Sequence, residues 1–166
     1  MKHVFTLLLL IFSVLLYAKE PSKKEVYDHI VCMQIKFPDI VLAQAILESG
    51  SFKSNLAKKN KNLFGMRLAR IRSTTAKGQV HGYAKYDSWQ ESVKDYKLWQ
   101  QHMMSKNPNM TRSQYMNLLN RIYSQTSSYA IRLKSIIKTN KNRYEENNPR
   151  TVDFCSANDS MWISRF

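Results

Sequence analysis

The chain has 166 residues, a length that suits one domain built on one core. With 43% apolar residues and 11% aromatics it has enough apolar surface to offset ordering entropy, which excludes a disordered chain. Lys and Arg number 26 against 12 Asp and Glu, giving +14, a surplus that favours polyanionic partners without choosing among cell wall, acidic lipid and nucleic acid.

Residues 1–18 open with Lys2 and His3, continue as an apolar run from Val4 to Tyr17, and end at Ala18. The pattern predicts a secretory signal removed near Ala18. The run is shorter than the roughly 20 residues a spanning helix needs. The expected product is therefore a periplasmic or extracellular protein with no stable membrane insertion after signal removal. Cys32 and Cys155 are too few and too far apart for a metal knuckle, and two options stay open for them: a disulfide or two separate buried thiols.

Ser22 and Glu25 have capping-box spacing, and Val26, Ile30 and Met33 follow at helical intervals, predicting a first helix that ends before Pro38. Pro38 suits the first turn of a second helix, apolar nearly all round, which stops at Gly50. Lys53 to Lys61 predicts a short basic helix, and Asn60 to Gly65 a turn. From Met66 to Tyr86 the helical period is lost and Gly78 and Gly82 punctuate the chain, predicting a small β-hairpin lobe. Ser88 and Glu91 predict a second capping box opening a helix through Met103. Thr111 and Gln114 open another, and Tyr129 to Ile137 lie on a last one. The domain organisation expected is a signal at 1–18, one mainly helical domain at 19–140, and a polar tail at 141–166 that can pack on it.

Glu48 stands at the end of the buried second helix. Burying an unpaired carboxylate costs several kcal/mol, so such a group tends to keep its proton. The negative end of the helix dipole acts in the same direction. An acid that stays protonated near neutral pH is what cleavage of a glycosidic bond needs, because the leaving sugar oxygen must be protonated as the bond breaks. Gln44, one turn earlier on the same face, is placed to hydrogen-bond the acid or the sugar. The competing reading of Glu48 is an ordinary surface carboxylate paired with a lysine.

The run Val41-Leu42-Ala43-Gln44-Ala45-Ile46-Leu47-Glu48-Ser49-Gly50, then Ser54 and Leu56-Ala57, then Asn60-Lys61-Asn62-Leu63-Phe64-Gly65, resembles the bacterial glucosaminidases of glycoside hydrolase family seventy-three. Tyr86-Asp87-Ser88-Trp89 with Glu91-Ser92-Val93 and Asp95-Tyr96, and later Tyr123 with Ser128-Tyr129-Ala130, are similar to that family's segments in the same order. The resemblance covers about Ile40 to Lys138. It implies a lysozyme-like, mainly α fold with a small β-hairpin lobe, and cleavage of the N-acetylglucosaminyl β-1,4 bond of peptidoglycan. Glu48 is then the general acid and Tyr123 the active-site tyrosine, with Gln44, Phe64, Tyr86 and Trp89 as candidate substrate contacts. Core packing is the competing role for Tyr123, Phe64, Tyr86 and Trp89. No cofactor and no metal are called for, and the expected partner is the peptidoglycan strand, met by a monomer that binds no nucleic acid.

The chain departs from the family pattern in two places. Many members carry a second carboxylate in the β-lobe, yet no Asp or Glu occurs between Glu48 and Asp87, and Thr126 stands where many have an acidic residue. Three outcomes follow: assistance by the substrate's own 2-acetamido group, use of Asp87, or loss of activity with binding retained. The first is preferred. The competing functions are a lytic transglycosylase or muramidase using the same Glu48, a silent cationic wall-binding protein and, on charge alone, a nucleic-acid binder.

Overall fold

The computed structural model describes residues 20–123 and 128–144, with side chains as far as 140. The expected signal at 1–18, Thr126, Cys155 and the tail from 145 lie outside the described residues. The order is α1 (Lys23–Cys32), α2 (Pro38–Glu48), α3 (Asn55–Asn60), β1 (Gly78–Val80), β2 (Tyr83–Lys85), α4 (Trp89–Met104), α5 (Arg112–Tyr123) and α6 (Tyr129–Tyr144). The fold is the mainly helical one expected, with a lobe made of one antiparallel hairpin.

Local chemistry sets most of the boundaries. Ser22 and Glu25 form a complete capping box, each side chain bonding the other residue's backbone N–H. Thr111 and Gln114 do the same at the start of α5. The expected box at Ser88 is only half made. Ser88 Oγ accepts from the Glu91 N–H, while the Glu91 carboxylate turns to Lys94 Nζ at 3.2 Å. As expected, α1 ends before Pro38, at Cys32, whereas the basic helix is trimmed to Asn55–Asn60.

In α2 every residue from Ile40 to Ile46 is buried, with α1 and α6 packed against it. Each of Ile40, Val41 and Leu42 gains about 1.5–3 kcal/mol from that burial. The helix is therefore held rigidly enough for its last residue, Glu48, to meet an unfavourable environment without moving out of it. Beyond Glu48 the chain turns sharply. Gly50, Ser51 and Phe52 all take left-handed φ angles of +57°, +57° and +70°, and the Ser49 hydroxyl donates to Ala45 O and accepts from the Phe52 N–H. A non-glycine residue pays for that conformation with strain of order 1–2 kcal/mol, here carried by the buried Phe52 side chain and the Ser49 bonds.

Candidate active site

Glu48 is half-buried at the carboxy-terminal end of α2. Its Oε1 accepts a hydrogen bond from the Tyr129 hydroxyl at 2.9 Å. On the other side stands Gly65, where a methyl group would lie 3.4 Å from Oε2. Gly65 also has φ +62°, a left-handed conformation that favours glycine there. Burial raises the Glu48 carboxyl above its ordinary value, and the Tyr129 bond and the Arg132 charge only partly offset this.

Asn62 brings Gly65 to the acid. Its side-chain amide donates to Met66 O and Ala84 O at 2.8 and 3.0 Å, and its carbonyl accepts from the N–H groups of Phe64 and Met66. One buried amide thus ties the turn to the hairpin. This is the structural content of the Asn60–Gly65 segment.

A chain of rings runs behind the acid: Phe64 on Tyr96 (4.2 Å between centroids), Tyr96 on Trp99 (5.1 Å), Trp99 on Tyr123 (5.9 Å) and Tyr123 stacked on Tyr129 (5.7 Å). Edge and offset contacts of this kind lie in the favourable range for aromatic pairs. Tyr123 is half-buried and one ring away from the Glu48 hydrogen bond. Burial first, then the Glu48 charge, raises both Tyr123 and Tyr129, so their phenols remain neutral donors.

The candidate sugar contacts are placed differently from the expectation. Gln44 is fully buried; its Oε1 accepts from the Tyr96 hydroxyl at 2.6 Å, and its Nε2 faces the Tyr123 and Tyr129 phenols without a hydrogen bond of good geometry. Phe64 is 0% and Tyr86 2% exposed, so neither ring offers a face to a sugar. Phe64 is spent on Tyr96, and the Tyr86 hydroxyl on Asp95 at 2.6 Å. Trp89 packs edge-on against His29, outside the chain of rings that reaches Glu48.

The other candidate carboxylates are also accounted for. Asp87 is exposed and faces Lys77 at 3.8 Å. Asp95 is fully buried, held by Arg72 at 2.6 and 3.3 Å and by Tyr86. Among the described residues, the polar groups acting on Glu48 are Tyr129 and Arg132. A cavity of about 470 Å³ opens between α1, α2 and α6, lined by Tyr27, Leu42, Ile46, Ile136 and Ile137, but it does not include Glu48.

Sequence reasoning overlooked Tyr129 as the direct partner of Glu48. Its helical spacing with Leu133 and Ile136 assigned it to the core of the last helix. The signal available was its place in Ser128-Tyr129-Ala130, quoted as a family-like segment but given no site role.

Comparison with known proteins identifies the family. Over 57 residues the chain is 46% identical to Protein bax of Escherichia coli (strain K12), a match that covers 34% of this chain and 21% of that protein. The chain thus spans about a fifth of that relative's length. The catalytic domain of the autolysin Auto from Listeria monocytogenes is similar in structure at a TM-score of 0.48 and 20% identity, over 78% of this chain and 90% of that one. A family model described as glucosaminidase, mannosyl-glycoprotein endo-beta-N-acetylglucosaminidase, matches residues 32–142, well over half the chain. The protein therefore belongs to the glucosaminidase family.

Proposed function

We propose that the protein is a peptidoglycan hydrolase that cleaves the N-acetylglucosaminyl β-1,4 bond, with Glu48 as the general acid. The observation that carries this reading is the environment of Glu48: half-buried, raised above the ordinary carboxyl range, bonded to Tyr129 and flanked by Gly65. The protonated carboxyl donates its proton to the leaving glycosidic oxygen as the C–O bond breaks. Positive charge then develops at the anomeric carbon of the sugar that remains, while the protonated leaving sugar departs neutral. Tyr129 orients the carboxyl through Oε1, and Tyr123, stacked behind it, fixes Tyr129. Gln44 and Phe64 support this array from within the core.

No second carboxylate is available beside Glu48 among the described residues, because Asp87 faces Lys77 and Asp95 is committed to Arg72. This supports assistance by the substrate. The carbonyl oxygen of the 2-acetamido group bonds to the anomeric carbon as the leaving oxygen takes the Glu48 proton. Water then opens the cyclic intermediate, giving its proton to the Glu48 carboxylate and restoring the acid. The same single-acid arrangement favours one alternative, a lytic transglycosylase, in which a substrate hydroxyl takes the place of water and leaves an anhydro sugar. The chain acts as a monomer in the periplasm or outside the cell, after its leader is removed, and its positive charge holds it to anionic wall.

Digestion of purified peptidoglycan by wild type and Glu48→Gln, with products read by mass spectrometry, tests the proposal. Reducing N-acetylglucosamine ends from wild type alone are expected. Anhydro ends would assign the transglycosylase, and equal release by both proteins would remove Glu48 from the chemistry.

A further inference from the structure

The hairpin presents a face that the cleavage chemistry does not use. Its register pairs Val80 with Tyr83, and an isolated antiparallel bridge pairs Tyr83 with Arg67 on the other side. Directly paired residues share a face, so Val80, Tyr83 and Arg67 form a row across the lobe, with Lys85 next along the strand on the same side. All four are exposed, Val80 at 38% and Tyr83 at 37%. The Arg67 guanidinium lies 5.7 Å from the Tyr83 ring centroid, within cation–π range. The guanidinium also lies beside the hairpin turn, where a methyl group on Gly82 (φ +80°) would be 3.6 Å from Arg67 Nη1.

Two further observations connect this row to a ligand. Among the described residues no carboxylate pairs with Arg67 or Lys85, and the sequence from Ser49 to Tyr86 contains no Asp or Glu. Arg67 is also only two residues past Gly65, so its Cα lies within about 7 Å of the Gly65 Cα that abuts Glu48. A guanidinium held on an exposed ring, two residues along the chain from the glycine beside Glu48, fits a sugar that carries a carboxylate. The ring offers an apolar face to the sugar, and the guanidinium fork matches the carboxylate geometry.

Peptidoglycan supplies such a group on every second sugar, either as the lactyl carboxylate itself or on the peptide attached to it. We infer that Arg67 and Tyr83 form a subsite for the carboxylate-bearing sugar beside the cut, so that the enzyme reads the acid of the strand and not only its N-acetylglucosamine. The inference rests on the proposed peptidoglycan substrate, and its test does not depend on cleavage. Binding is measured by calorimetry on the Glu48→Gln chain with three soluble glycans: fragments with peptides attached, fragments stripped by an amidase so that only lactyl carboxylates remain, and uncharged β-1,4 N-acetylglucosamine oligomers.

Adding Arg67→Gln is expected to weaken binding of a carboxylate-bearing glycan about tenfold, as loss of one charge-assisted contact does. It should leave the uncharged oligomers within twofold, with Arg67→Lys intermediate. Loss confined to the peptide-bearing fragments assigns the carboxylate to the peptide; loss confined to the stripped fragments assigns it to the lactyl group, whose carboxyl is an amide while the peptide is attached; loss on both shows that Arg67 takes either. Equal weakening for charged and uncharged glycans, or none for any, overturns the subsite, provided thermal melting shows Arg67→Gln folded as its parent. If wild type binds with this selectivity yet releases no fragments, the cleavage reading fails while the subsite stands.

Discussion

The two ends of α2 carry the same functional group in opposite surroundings. At the amino end Asp39 lies in the first turn, 39% exposed, in a two-armed ion pair with Arg112. The positive end of the helix dipole suits an anion there. At the carboxy end Glu48 meets the negative end of the same dipole, is largely withdrawn from water, and has a phenol as its hydrogen-bond partner. One rigid helix thus makes a solvated ion pair at one terminus and a reluctant anion at the other. Position along the helix, more than residue type, separates a surface ion-pair carboxylate from one that holds its proton more tightly.

The largest effect expected of this difference is catalytic. Glu48→Gln should lower peptidoglycan cleavage by about 10²–10⁴, the usual size of a general acid's contribution, in a reducing-end assay. The same substitution should stabilise the fold at neutral pH. Because the folded protein holds the Glu48 proton more tightly than the unfolded chain, that contribution is fully present below the ordinary carboxyl range and is lost as pH rises through the raised value. Gln never ionises, so its Tm advantage should grow with pH and vanish in acid. A pH-independent Tm difference would mean that burial of the charge is not what distinguishes Glu48 from Asp39.

A third carboxylate sharpens the point that burial alone does not make an acid. Asp95 is less exposed than Glu48, yet Arg72 and Tyr86 satisfy both of its oxygens. Asp95→Asn should leave Arg72 charged and unmatched, costing about 3–5 kcal/mol in denaturant unfolding. Glu48→Gln should cost nothing at pH 7. If both substitutions destabilise alike, Glu48 is held as an ionised structural group and the contrast fails.

The sequence made Glu48 legible because its signal is local: an acid closing an apolar helix, followed by the Ser49-Gly50 stop. The helices were legible for the same reason, through 3.6-residue periodicity and three cap pairs, of which Ser88 and Glu91 are only half made because Lys94 draws the glutamate away. Contacts between distant segments were not. Nothing in the spacing of Tyr129 distinguishes a ring buried for packing from one whose hydroxyl reaches back 81 residues to Glu48. Arg72 shows the same limit. As one of several lobe cations it looked like surface charge, and only the fold brings it 2.6 Å from Asp95. Phe64 and Tyr86 were offered to the sugar because aromatic residues near an active-site motif serve either purpose, and burial decides between them.

Tyr129→Phe tests what remains of the asymmetry at Glu48. The phenol's hydrogen bond favours the ionised carboxylate and so opposes the effect of burial. Without it the Glu48 value should rise further, and the alkaline limb of the cleavage profile should move to higher pH. Stability should fall by only about 0.5–1.5 kcal/mol, the net worth of one hydrogen bond. A limb that moves to lower pH would mean that Tyr129 bonds the protonated form and belongs to the donor state itself.

The smallest effect is expected at the opposite terminus. Asp39 and Arg112 are 39% and 50% exposed, so water already solvates both partners, and two flexible side chains must be ordered to meet. A double-mutant cycle of Asp39→Asn and Arg112→Gln should give a coupling of about 0.2–1 kcal/mol that shrinks in high salt, with cleavage within twofold of wild type. The salt response is the informative part, because the limb set by Glu48 lies behind Tyr129 and the packed rings and should hardly move under the same change. If coupling at Asp39 persists in high salt, the amino end of α2 is shielded as the carboxy end is, and the difference between the two carboxylates must come from their partners alone.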